Sequence, residues 1–318
     1  MNQALIPGFS FTFGRINMTD SFGCRATMNY IDEGSRGSEN RESILMLHGN
    51  PTWSYFYRGL IGKVRASSRV IAPDHIGCGF SDKPPDYCYT LEQHIKNIET
   101  LVDRLGLDRI TLVVHDWGGP IGFGFATRHP EKVARIVVLN TVAFFLPTLP
   151  WFLRLCQAPV AGELCVQTLN LFLKITLHIG AVKKLDPAVK AGYLAPYSRA
   201  RERLAILRFI RDIPVKTSHP SYETLRQIEE QLTVLRAHPL DICWGMRDPV
   251  FTPEVLDMWR LRFSPAELRT FENAGHLLLE DALDEIAAVV KRTTGPKSND
   301  DKREAQALKR HDRSSSTV

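Results

Sequence analysis

Five side chains stand where this chain could do chemistry. Asp116 follows the apolar run ITLVV in ITLVVHDWGGP, so a carboxylate sits on a glycine-rich corner directly after a strand with the character of a buried one. A helix should begin at Gly118 and Gly119, with Pro120 in its first turn, where proline is tolerated. This is the context of a nucleophile elbow, in which a reactive group is held on a tight turn at the carboxyl end of a central strand. Val114 occupies the position of that motif's usual first glycine, and Asp stands where serine would. Downstream, Asp248 in WGMRDPVF follows the run DICW, and His276 in FENAGHLLLED follows LRTF. Nucleophile, acid and base thus come in chain order, each after a strand, where doubly wound sheets gather their sites. The other two are Asn50, in HGNPTWSYFYR directly after SILML, and Trp117, beside Asp116.

Each has a plainer reading. An Asp at a strand–helix boundary commonly caps the helix, Asp before Pro marks a turn, and a lone His packs in a core more often than it reacts. Gly-Asn-Pro is an ordinary turn, and Trp117 could serve packing alone. The combination argues for catalysis. The loop from His48 supplies backbone N–H groups that could face a developing oxyanion, and the loop APDHIGCGFSDKP at 72 to 84, with Asp74, Gly77 and Gly79, reads as structural support. An aspartate, with a pKa of about 3.9, is already an anion at neutral pH and suits attack on a saturated or strained carbon.

The elements that must position these groups alternate along the chain. SILML, RVIAP, ITLVV, RIVVLN, DICW and LRTF are short, continuously apolar runs, as expected of parallel strands covered on both faces. Between them lie helix patterns such as LEQHIKNIETLVDRLG at 91 to 106, whose Ile95, Ile98, Leu101, Val102 and Leu105 share one face. The alternation predicts an α/β fold with a mostly parallel, doubly wound sheet. FSFTFGRI and CRATMNYID should add an antiparallel pair at its edge. From Phe144 to about 220 the rhythm fails, and a segment that long between core strands predicts an inserted helical cap. The expected organisation is therefore a core over 1–143 and 221–292, a cap over 144–220, and a disordered tail over 293–318, which is too polar to offset its ordering entropy.

Composition excludes several classes. No apolar run approaches the roughly 20 residues of a membrane span, and the first residues lack the charged and hydrophobic regions of a leader, so a cytoplasmic location is expected. Six scattered cysteines form no CxxC pair or metal-like spacing, which predicts reduced thiols and no bound metal or cofactor. Much of the +5 net charge sits at 199 to 211 and beyond Lys291, too local for nucleic-acid binding. Arg199, Arg201, Arg203, Arg208 and Arg211 read as a solvated basic face. Phe144, Phe145, Trp151, Phe152 and Phe172 could line an apolar pocket, although a role in the cap's own core is the commoner one for most of them.

HGNP followed by WSYFYR, HDWGG at the elbow, and an acid plus a histidine in the last third resemble the α/β-hydrolase superfamily over roughly residues 10 to 292, and within it the haloalkane dehalogenase branch. The resemblance implies that Asp116 attacks the halogen-bearing carbon and that His276, oriented by Asp248, deprotonates the water that hydrolyses the resulting ester. It further implies an oxyanion hole from the Asn50 and Trp117 amides, and an Asn50–Trp117 side-chain clamp on the departing halide. In some relatives the acid follows the earlier strand, where RIVVLNTVAF offers only Asn140 and Thr141, so Asp248 is preferred. The substrate would be a small apolar haloalkane, and the products an alcohol and halide. OleB-type β-lactone decarboxylases of bacterial olefin synthesis share the motif residues and resemble DHIGCGFSDKP and RERLAILRFIRDIP, so a β-lactone is the alternative substrate. An epoxide hydrolase would need acidic cap donors, for which Tyr193 and Tyr197 are candidates, and a ligand receptor could retain the triad without turnover. A homo-oligomer or a pathway-enzyme partner is not derivable from the residues.

Overall fold

The computed structural model describes residues 6–34, 42–264 and 266–294. Eight strands form one sheet: β1 (Phe13–Thr19), β2 (Arg25–Glu33), β3 (Glu42–Leu47), β4 (Arg69–Pro73), β5 (Arg109–Asp116), β6 (Val133–Thr141), β7 (Leu240–Gly245) and β8 (Glu267–Phe271). Their spatial order is β1-β2-β4-β3-β5-β6-β7-β8, antiparallel at β1–β2 and β2–β4 and parallel throughout the rest. This is the α/β arrangement expected from the apolar runs. The antiparallel pair forms, but β2 lies inside the sheet against β4. The FSFT stretch does not extend β1; Phe9 and Phe11 turn inward instead, and the Phe9 ring packs 5.1 Å from that of Trp53.

Helices α1 (Arg58–Val64), α2 (Leu91–Leu105) and α3 (Gly118–Arg128) lie between the strands up to β6. In α2, Ile95, Ile98, Leu101 and Val102 are fully buried, each contributing about 1.5–3 kcal/mol relative to exposure. The helix starts where the Thr90 hydroxyl accepts from the Gln93 amide and stops at Gly106, whose positive φ allows the left-handed cap.

Between β6 and β7 the chain forms α4 (Trp151–Gln157), a π-helical turn over Glu163–Thr168, α5 (Leu171–Ile179), α6 (Pro187–Leu194) and α7 (Leu204–Arg211). It then forms α8 (Tyr222–Gln231), which returns to pack on α3 and α2. Helices α9 (Pro253–Arg262), α10 (Leu278–Asp281) and α11 (Leu283–Thr294) complete the chain, so helix continues two residues past the expected start of the tail. Residues 295–318, for which disorder was expected, lie outside the described residues. Arg203 is a correction to the solvated basic face: it is buried, and its guanidinium donates to the carbonyls of Gln167, Thr168 and Tyr197. Arg211 is partly covered and pairs with Glu163.

Candidate active site

Asp116 ends β5 with a φ of +48°, a left-handed conformation that costs a non-glycine residue about 1 kcal/mol. Close packing holds it there. A Cβ on Gly118 would strike the Leu47 carbonyl and one on Gly119 would strike Thr141, whose hydroxyl donates to the Asp116 carbonyl. The departure from the elbow motif at Val114 is accommodated from the other side, because Gly122 of α3 leaves the space that the Val114 methyl occupies. The Asp116 side chain does not cap α3; it accepts from the Asn50 amide at 2.6 Å. That approach requires Gly49, where a Cβ would overlap the Asp116 carboxylate. Burial pushes the Asp116 pKa above its ordinary value, opposed by the His276 charge and by the Trp117 and Asn50 amides.

His276 and Asp248 meet as the sequence order suggests. The His276 Nδ1 lies 2.9 Å from Asp248 Oδ2, and Asp248 Oδ1 accepts from the amides of Val250 and Phe251 at 2.7 and 3.1 Å. Burial alone would lower the His276 pKa, but the charges of Asp248 and then Asp116 outweigh it, and the net shift is upward. Asn140 does not supply an acid from β6: it exchanges two hydrogen bonds with the backbone of Gly245, pinning β6 to β7.

Asn50, Asp116, Trp117 and His276 line one cavity of about 670 Å³ between the sheet and the insertion. Its walls are overwhelmingly apolar, and Phe144, Phe145, Trp151, Phe152 and Phe172 all contribute to them, while Phe144 is also buried in the core against Trp259. The Asn50 carboxamide donates one hydrogen to the Ile206 carbonyl of α7 at 3.1 Å, and among the described residues its other hydrogen and its buried Oδ1 have no partner. Tyr193 and Tyr197 do not face the cavity: Tyr193 donates to Glu280 at 2.6 Å, and the Tyr197 hydroxyl accepts from the Gly79 amide at 3.0 Å. The epoxide-hydrolase reading therefore loses both of its proposed donors.

Three supporting residues carry little or no signal of their role in the sequence. His115 is buried, and its Nε2 donates to the His276 carbonyl at 2.9 Å, which fixes the tautomer and steadies the loop. Asp281 accepts from the amides of Gly275, Val182 and Lys183, tying the His276 loop to the insertion. Asp74 accepts from the amides of Ser54 and Phe80, joining the loops after β3 and β4; burial raises its pKa to about 6. The only signal for the first two was adjacency, His115 to Asp116 and Asp281 to the HLLLE run.

A family model described as the alpha/beta hydrolase fold matches residues 42–283. The chain belongs to the α/β-hydrolase fold family. It is 40% identical over 271 residues to a cis-3-alkyl-4-alkyloxetan-2-one decarboxylase of Shewanella oneidensis, covering 83% of this chain and 84% of that protein. It is 32% identical over 269 residues to haloalkane dehalogenase 2 of Mycobacterium tuberculosis, covering 84% and 91%. Among solved structures, the tetrameric haloalkane dehalogenase DpaA of Paraglaciecola agarilytica superposes with a TM-score of 0.78 at 26% identity, covering 90% of this chain and 94% of that one. Both relatives named from the sequence motifs are thus similar to this member of the family.

Proposed function

We propose that this α/β-hydrolase uses Asp116 as a nucleophile on cis-β-lactones bearing two alkyl chains, releasing a cis-olefin and CO2. The observation that carries the reading is a buried carboxylate on a strained corner, at the polar end of an apolar cavity of about 670 Å³. Such a volume suits a two-chain substrate better than a small haloalkane, and the greater similarity to the decarboxylase supports the same order.

The steps balance without water. An Asp116 oxygen attacks the saturated, alkyl-bearing ring carbon bonded to the ring oxygen; that carbon–oxygen bond breaks, and the leaving group stays attached through the neighbouring carbon as a carboxylate. That carboxylate then departs as CO2, its bonding pair forms the double bond, and the bond to Asp116 breaks to restore the aspartate. Inversion in the first step followed by anti departure in the second keeps the two alkyl groups cis. The leaving carboxylate needs no proton but gains from a cation, and His276, whose charged form is favoured by Asp248 and Asp116, is the group to supply it.

Carbon–halogen cleavage is the second reading. Trp117 favours it, because it lines the cavity and nothing among the described residues accepts from its indole N–H. Asn50 offers the halide only its remaining amide hydrogen, since the other is engaged by Ile206. In this route His276 must be neutral to activate water against the Asp116 ester.

Purified enzyme offered a long-chain cis-β-lactone and 1-bromobutane in parallel, in 18O-labelled water, tests the order. We expect olefin to form over many turnovers with no label entering Asp116, whereas any bromide release should label it. Bromide without olefin would reverse the order. Asp116→Asn should lower either activity by at least about 10³-fold with the fold retained, because Asn tolerates positive φ; undiminished activity would remove Asp116 as nucleophile.

A further inference from the structure

The insertion carries an apolar surface that its own fold does not cover. Trp151 is 76% exposed and Val160 78%, and Leu155, Leu164, Leu169, Leu171, Ile175 and Ile179 are each between 39% and 52% exposed. They lie on α4, the π-helical turn and α5, which pack in succession, and, for Val160 and Leu169, on the links between them. Leu171, Ile175 and Ile179 recur at four-residue intervals and so share one face of α5. Several of the same residues line the cavity, so the apolar surface is also its rim. Monomeric soluble proteins seldom leave that much contiguous apolar surface in water.

Charge indicates what meets this surface. Between residues 144 and 220 there are eleven Lys and Arg against four Asp and Glu, an excess of seven positive charges in a chain whose net charge is +5. The remainder of the chain is therefore slightly acidic, and the basic character belongs to the insertion. Arg154 and Lys174 are exposed beside the exposed Leu155 and Ile175 in sequence, and Lys184 is exposed two residues from the exposed Val182, while the Lys183 ammonium donates to the Asp281 carbonyl. Long basic side chains beside Trp, Leu and Ile make a surface that can sink apolar groups among acyl chains while the cations reach lipid phosphates. Val160 adds an independent sign, being a β-branched residue held at a φ of +65° in nearly full exposure, unfavourable in water on both counts.

We infer that the insertion docks this face on an anionic lipid surface, with the cavity mouth opening onto the bilayer. No helix among the described residues is long and apolar enough to cross a membrane, so the contact is peripheral. Docking would let a two-chain apolar substrate enter, and an olefin leave, without crossing water. That benefit rests on the lactone reading, whereas the docking itself does not.

The test uses full-length protein, without substrate, and phosphatidylcholine vesicles with or without phosphatidylglycerol. We expect co-flotation with the anionic vesicles at low salt, weakening as salt rises. Tryptophan emission should shift to the blue, because Trp53, Trp244 and Trp259 are already buried, and the shift should persist in Trp117→Phe and disappear in Trp151→Phe. Val160→Asn combined with Leu164→Ser should weaken vesicle binding about tenfold. Both residues are outside the cavity lining, and Asn relieves the strain at position 160, so folding should survive. Failure to bind anionic vesicles, or equal binding by the double variant, overturns the inference. Concentration-dependent self-association that the double variant abolishes, without vesicle binding, assigns the face to a second copy of the chain instead. Asp116→Asn should bind vesicles like the parent, so failure of docking and failure of the chemistry read out separately.

Discussion

The sheet's carboxyl edge and the helical insertion above it meet at one cavity but are built by opposite rules. At the edge almost nothing can move. Gly49, Gly118 and Gly119 bring backbone into contact where no Cβ would fit, and buried carboxylates bind loop amides from both sides. The insertion has short helices, a π-helical turn and exposed leucines and isoleucines, and it seats on the core largely through apolar side chains such as Ala205, Ile206 and Phe209. A reacting atom must be held within a fraction of an ångström, which needs glycine-close packing. A surface that admits a long apolar molecule needs area and give, which short amphipathic helices supply.

After loss of the nucleophile itself, the most disruptive change on the rigid side should be Gly49→Ala. Its Cβ would occupy the place of the Asp116 carboxylate, so we expect at least about a hundredfold loss of turnover. A urea midpoint near that of the parent would show that the loss is positional; unchanged turnover would mean that the edge tolerates far more than its packing implies. The pH profile probes the same edge. The His276 pKa lies above its ordinary 6.5, so its stabilising contribution is fully present below 6.5 and fades as pH rises through the shifted value. Lactone turnover, using the cation, should fall about tenfold per pH unit above that value, whereas hydrolysis of an alkyl ester should rise toward a plateau. A lactone profile that rises instead would assign His276 a basic role in that reaction too.

The joint between the two regions yields an effect on stability. Asp212, at the end of α7, accepts from the Leu91 amide and the Ser221 hydroxyl, and burial raises its pKa to about 7. Between its ordinary 3.8 and about 7 the folded state keeps a proton that the unfolded state has lost, so stability falls as pH rises through that window. Asp212→Asn should therefore gain on the parent from pH 4 to pH 8, on the order of 4 kcal/mol by urea unfolding; a difference independent of pH would show that the group titrates normally. The smallest effect belongs to Tyr193→Phe, which removes one hydrogen bond to Glu280 while Arg58 keeps its ion pair. We expect about 1 kcal/mol of lost stability and turnover within about twofold of the parent. A large loss of turnover would restore the epoxide-type donor that the geometry removes.

The chain's own pattern sufficed for the alternating strands and helices, the order of Asp116, Asp248 and His276, and the apolar character of the segment after Phe144, because periodicity and turn chemistry are local properties. The helix at 91 to 106 emerged nearly residue for residue, since its face, its Thr90 cap and its Gly106 stop all lie within one stretch. Contacts between distant segments were not legible. That the Asn50 side chain is held by Ile206, that Arg203 is buried, and that Tyr193 and Tyr197 turn from the cavity depend on how the insertion settles on the sheet. A side chain's type limits which bonds it can make, whereas the partners that remain once the core has closed decide which of them it does make.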